Sequence, residues 1–131
     1  MSFTVAELRY LRSIGMGRLA TISVEGELQN IPVAFLVDEA SEVVEIQGRG
    51  SALSHVTAEP NGIATLVVDD LIMDECIAVR CLEVRGMVQA SPAIPSDPLA
   101  KERTVRIQPS RIISWGIDAP YDQELSRDIE V

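Results

Sequence analysis

Few residues of this chain can do chemistry unaided. His55 is its one histidine, so an imidazole-based metal site would need carboxylates for its other ligands. Cys76 and Cys81 lack a partner pair, and the four residues between them are too many for a Cys-x-x-Cys redox motif. They read as two buried or half-buried thiols. Asp69, Asp70, Asp74 and Glu75 could gather a cation, but acids in a turn beside a strand are ordinarily solvated. Ser23, Ser54 and Ser114 have no triad around them, which argues against hydrolysis. What remains is Gly48-Arg49, followed by Ser51, where a strand runs into a short helix. An arginine there can grip an anionic oxygen through two parallel hydrogen bonds, and the helix N-terminus adds backbone donors. The same Gly-Arg reads equally well as an arginine in a surface turn.

The elements that would position these residues are mostly strands. Thr4 and Glu7 fit a capping box, and Val5, Leu8, Leu11 and Ile14 fall near one face, predicting a helix that Gly15 stops. Strands are expected over 19–24 and 29–37, joined by a turn at Glu25-Gly26-Glu27, with a third over 43–46. Pro32 cannot donate to a ladder, so it marks a sheet edge or a bulge. Ser51 caps a short helix that ends at Pro60-Asn61-Gly62. The apolar run 63–68 reads as a strand buried on both faces and ended by Asp69-Asp70. Residues 77–90 form a long strand with Glu83 and Arg85 on one face and Val84 and Gly86 on the other. Arg85 is expected to pair with Asp69 or Asp70, or to face a partner subunit. After a proline-rich loop at 91–98, short strands at 105–108 and 112–115 flank Pro109. The sum is mainly β, with about six strands and two helices, arranged as a barrel or sandwich rather than a βαβ fold.

Size and charge narrow the function. The chain has 131 residues, 47% of them hydrophobic, which suits one domain and excludes disorder. No run approaches the roughly 18–20 apolar residues of a membrane helix, and no signal peptide is visible, so a soluble, cytoplasmic protein is expected. The formal charge of −9 and only five aromatic residues disfavour nucleic-acid binding. Residues 1–117 are read as the domain and 118–131 as an acidic C-terminal tail, the latter holding five acids against Arg127. Trp115 is read as core or interface packing, with cofactor stacking as the alternative.

Several segments occur together in an order that points to a family: Arg18-Leu19-Ala20-Thr21, Asn30-Ile31-Pro32-Val33-Ala34-Phe35, Gly48-Arg49, Val67-Val68-Asp69-Asp70, Glu83-Val84-Arg85-Gly86 and Arg111-Ile112-Ile113-Ser114-Trp115-Gly116. The series, spanning about residues 4–117, resembles the pyridoxamine 5′-phosphate oxidase-like flavin and deazaflavin oxidoreductases. Their fold is the FMN-binding split barrel. The resemblance implies a six-stranded split β-barrel with an N-terminal helix and one short helix. It also implies a homodimer with two cofactor sites at the subunit interface. FMN or coenzyme F-420 would lie with its ring along Pro32, Val33, Ala34 and Phe35, and its phosphate near Gly48, Arg49, Ser51 and Ser54. The cofactor would carry a hydride to or from a small organic substrate, so no catalytic side chain is required. Family members commonly place a lysine in the helix after Gly-Arg, whereas this chain has Ser54 and His55 there. The alternative is therefore a non-catalytic split-barrel module, serving ligand binding or dimeric interaction, that has lost strong cofactor binding.

Overall fold

The computed structural model describes residues 2–23, 25–49, 62–73, 77–90 and 102–130. Ser51, Ser54, His55 and Cys76, and with them the expected short helix, lie outside the described residues. Helix α1 (Val5–Ile14) is followed by β1 (Met16–Ile22), β2 (Leu28–Asp38), β3 (Val43–Arg49), β4 (Ile63–Met73), β5 (Ile77–Ala90), β6 (Glu102–Trp115) and β7 (Glu124–Asp128). The antiparallel order is β3-β2-β1-β4-β5-β6-β7, and a further β3–β6 pairing closes the first six strands into a barrel. The fold is thus the expected split barrel, with a seventh strand added. Leu19, Ile46, Leu66, Val84, Ile107 and Ile112 point inward and are fully buried. Among the described residues, no helix is long and apolar enough to cross a membrane.

Strand β6 serves two neighbours on one edge. Its first half pairs with β3, Val44 opposite Ile107 through Arg49 opposite Glu102. Its second half pairs with β7, from Arg111–Asp128 to Trp115–Glu124. The change-over falls at Pro109 and Ser110, where the β5–β6 register also shifts. Pro109 therefore interrupts the ladder without ending the strand, and the two short strands expected from sequence are one. Gly86 is opposite this irregularity. A Cβ on it would lie 2.1 Å from the Gln108 carbonyl oxygen, so only glycine fits.

Three other expectations are corrected by ion pairing. Asp69 and Asp70 do not terminate β4, because Arg18 and Arg80 neutralise them and the strand continues to Met73. Residues 118–131, read as a solvated tail, contain β7. The helix buries Glu7, Tyr10 and Leu11 while Val5 is exposed, although the capping box and the left-handed Gly15 cap are as expected. Glu7, only 1% exposed, accepts at Oε1 from Thr4 N at 2.8 Å and from Arg127 Nη2, and at Oε2 from Arg127 Nη1 at 2.9 Å; Arg127 Nη2 also donates to Ser2 O. A buried carboxylate with a full set of donors is tolerable where a bare one is not.

Two variants test these constraints. Gly86→Ala should lower the unfolding free energy by about 3 kcal/mol through overpacking against β6. Arg127→Ala should cost about 3 kcal/mol, because it strands the Glu7 charge. Urea titration reads both, and wild-type midpoints would refute them.

Candidate functional site

The ladder between β2 and β3 ends before Pro32. Phe35 N donates to Gly15 O at 3.3 Å, and Ser23 N to Glu27 O at 2.9 Å. These bonds fix the odd-numbered residues of β2 toward β1, so its even-numbered residues turn their backbone groups toward β3. The β2–β3 register runs from Asp38–Val43 only as far as Ala34–Gln47. The next bonded pair would join Pro32 to Arg49, and Pro32 has no N–H to give. On its other edge β3 is paired with β6 from Val44 to Arg49, which stands opposite Glu102. The N–H and C=O of Asn30 and the C=O of Pro32 are thereby left without a ladder partner among the described residues.

The side chains named for a cofactor divide across this strand. Pro32 and Ala34 are exposed on the outer face of the sheet, while Val33 and Phe35 point into the core. Only the backbone of the latter two remains for any ligand outside. The backbone of Gly48 and Arg49 ends β3 beyond its last pair with β2; Ser51 and Ser54 fall outside the described residues. Across the β3–β6 pair, Arg106 Nη2 donates to Glu45 at 2.6 Å, and its buried Nε finds no acceptor among the described residues.

The outer face continues as cross-strand rows, one running Pro32–Arg18–Val67–Glu83–Ile113–Ser126. Its centre carries three ion pairs: Arg18–Asp69 at 2.8 Å, Arg85–Glu83 at 3.3 Å and Arg111–Asp128 at 2.7 Å. Glu83 and Arg85 do share a face, but Arg85 takes Glu83 as partner rather than Asp69 or Asp70. Exposed apolar residues flank this charged band. Leu28, Ile22, Ile63 and Met87 lie at one end, and Leu71, Met73, Ile77 and Val79 at the other.

At that second end a cavity of about 590 Å³ is lined by Ile77, Val79, Cys81, Trp115, Tyr121 and Asp122, among others. Trp115 stands directly opposite Cys81. Burial, then the charges of Asp69 and Glu83, push the Cys81 thiol up, so it is a protonated wall rather than a nucleophile. Beneath the cavity, Arg80 donates to Asp70 through Nε at 3.1 Å and Nη2 at 2.7 Å, and its guanidinium lies 5.0 Å from the Tyr10 ring centroid. Burial, followed by the bond it donates to Asp70, raises the Tyr10 phenol well above its usual range. Among the described residues, no cluster of three or more His, Cys, Asp or Glu could hold a metal. Tyr121 and Asp122 were invisible in the sequence because residues 118–131 read as a tail. The available signal was Gly116 just after Trp115, which permits a turn back over the sheet.

No family model matches the chain. It is 38% identical over 134 residues to a 5a,11a-dehydrotetracycline/5a,11a-dehydrooxytetracycline reductase of Streptomyces rimosus, covering 98% of this chain and 94% of that protein. The chain belongs to that reductase's family. Solved structures similar to this member of the reductase family share its fold at low identity. A heme-binding protein of Mycobacterium smegmatis has a TM-score of 0.71 at 13% identity; the match covers 98% of this chain but spans only 59% of that one. An FAD-binding protein of the same organism has a TM-score of 0.62 at 18% identity, covering 98% of both chains. A Clostridium acetobutylicum protein of the pyridoxinephosphate oxidase family has a TM-score of 0.64 at 9% identity, covering 92% of this chain and 90% of its own.

The charge network under the cavity has a pH signature. Bonds donated by Arg80 hold the Asp70 carboxyl below its ordinary value, against the opposing effect of burial. A carboxyl with a depressed folded-state pKa contributes stability above its unfolded value, which is lost as pH falls through the folded one. Asp70→Asn should therefore flatten the loss of stability below about pH 4. Thermal melts of both proteins between neutral and acid pH check this, and parallel curves would contradict it.

Proposed function

We propose that this protein is a cytoplasmic oxidoreductase that holds FMN or coenzyme F-420 at the β2 edge beside Pro32. There it transfers a hydride to or from a small, ring-containing organic substrate. The observation that carries this reading is the backbone edge of Asn30 and Pro32, unladdered among the described residues, next to the outward-facing Pro32 and Ala34. A planar heterocycle with N–H and C=O groups on its rim fits such an edge: the free donor and acceptors meet the rim, and the two small side chains let the ring approach. Arg49 at the end of β3, with Ser51 and Ser54 beyond it, would meet the phosphate. The reductase relative supports the reaction class, and its dehydrotetracycline substrate supports a polycyclic one.

When bound, such a cofactor supplies the hydride chemistry itself. The chain's part is to bind and orient. The β2 backbone fixes the ring edge, Gly48 and Arg49 fix the phosphate end, and the outer face excludes water once covered. We propose a homodimer, joined through that outer face, as the cover. The face offers two apolar flanks around a band of internally neutralised arginines, so a second copy can bury it without stranding a charge. Ser54 and His55, standing where a lysine would be expected, favour a second reading: a dimeric ligand-binding module that has lost strong cofactor binding.

Titration of the purified protein with FMN and with coenzyme F-420 at fixed salt separates the two readings. Wild type should bind one of them, and Arg49→Ala should bind it roughly 30- to 150-fold more weakly, the equivalent of a lost charged hydrogen bond of about 2–3 kcal/mol. Equal binding by Arg49→Ala removes the phosphate role. Binding of neither cofactor leaves the non-catalytic module. Sedimentation at micromolar concentration tests the dimer.

A further inference from the structure

Tyr121 is an exposed aromatic residue held in place from three sides. Gly116 has φ +71°, and a Cβ on it would lie 2.5 Å from Tyr121 Cδ1, so the tyrosine ring occupies the space that only glycine leaves free. Gln123 N donates to Pro120 O at 3.0 Å, closing a turn with Tyr121 at its corner. The start of the loop is moored by Thr4 Oγ1 donating to Asp118 at 2.7 Å. That same Gly116 Cβ would lie 3.2 Å from Arg80 Cγ, so the Arg80 stem packs under the loop. Arg80 is in turn fixed by Asp70 and the Tyr10 ring. A tyrosine left 47% exposed does not need so many supports for stability.

From this geometry we infer that Tyr121 is the specificity wall for ring substrates, positioned by Gly116 and Arg80 to face the cavity beside Trp115. This rests on the substrate class and the dimer proposed above, and assigns recognition of that substrate to one residue. Pro32 lies on β2 and Trp115 at the end of β6, so the cavity serves the cofactor edge of the second copy that covers the outer face. The cavity's volume lies within the range of small-molecule sites. Its walls are the Tyr121 and Trp115 rings and the exposed aliphatic Ile77 and Val79, which match the flat faces of fused rings. Asp122 at the rim can accept hydrogen bonds from substrate hydroxyls. Rigid support means that little ordering cost is left for the ligand to offset.

Trp115 is the chain's one tryptophan, so its fluorescence reports on this cavity alone. Tetracycline serves as the fused-ring probe and a one-ring phenol as the comparison, each titrated into wild type, Tyr121→Ala and Tyr121→Phe without cofactor. Tetracycline should quench wild type, bind Tyr121→Ala about tenfold or more weakly, and bind Tyr121→Phe within about threefold of wild type. Phenol binding should change little. Matching melting temperatures confirm that the variants are folded. No quenching of wild type, equal binding by Tyr121→Ala, or an equal loss in Tyr121→Phe overturns the inference. Reduction of a fused-ring substrate without quenching would sink this inference and spare the proposed reaction. Quenching that depends on Tyr121 in a protein that reduces nothing would do the reverse.

Discussion

At Pro32 the β2–β3 ladder runs out of donors. Ala34–Gln47 is the last pair in register, and the pair that should follow lacks its N–H. Strand β3 pairs with β6 on its other edge from Val44 to Arg49, the contact that closes six strands into a barrel, so its last two residues are held by β6 alone. The missing donor leaves the backbone groups of Asn30 and Pro32 on that side of β2 without a ladder partner among the described residues. Because β6 gives its first half to β3, its second half is free for β7, and the turn leading into β7 brings Tyr121 to the far end of the sheet.

Buried polar groups fix the remaining geometry. Glu7 and Tyr10 lie on the buried face of α1, where Val5, Leu8, Leu11 and Ile14 were expected, and each has a dedicated partner: Arg127 for Glu7, Asp70 for Tyr10. Such pairs add little net stability over apolar packing, but they penalise any register in which a partner is displaced. Arg127 ties the last strand to the first helix. Asp70 and Arg80 tie that helix to the strand that carries Cys81. The cavity beside Trp115 therefore rests on elements drawn from both ends of the chain.

Much of the strand pattern was legible because side-chain alternation and turn residues are local signals. Val84 falls inward as its alternation with Glu83 and Arg85 requires, and Pro32 marked a constrained position; the run 63–68, expected to be buried on both faces, instead alternates, with Leu66 buried and Ile63 exposed. What was hidden depended on partners distant in sequence. Asp69 and Asp70 looked like strand ends because nothing nearby shows that Arg18 and Arg80 neutralise them. Residues 118–131 looked like a solvated tail because the value of Arg127 depends on Glu7, 120 positions away. The end of the β2–β3 ladder could be read from the missing N–H of Pro32, whereas the cavity containing Tyr121 could not.

The reductase relative and the split-barrel structures supply a reaction class and a scaffold; the edge of β2 that is unladdered among the described residues is the place proposed for the cofactor. Hydrogen–deuterium exchange, measured on the homogeneous protein with and without saturating FMN or coenzyme F-420, tests that proposal. The amide of Asn30, on the β3-facing side of β2, should become protected on binding, while the amide of Phe35, already bonded to Gly15, should change little. Saturating cofactor that leaves Asn30 exchange unchanged would contradict the proposal.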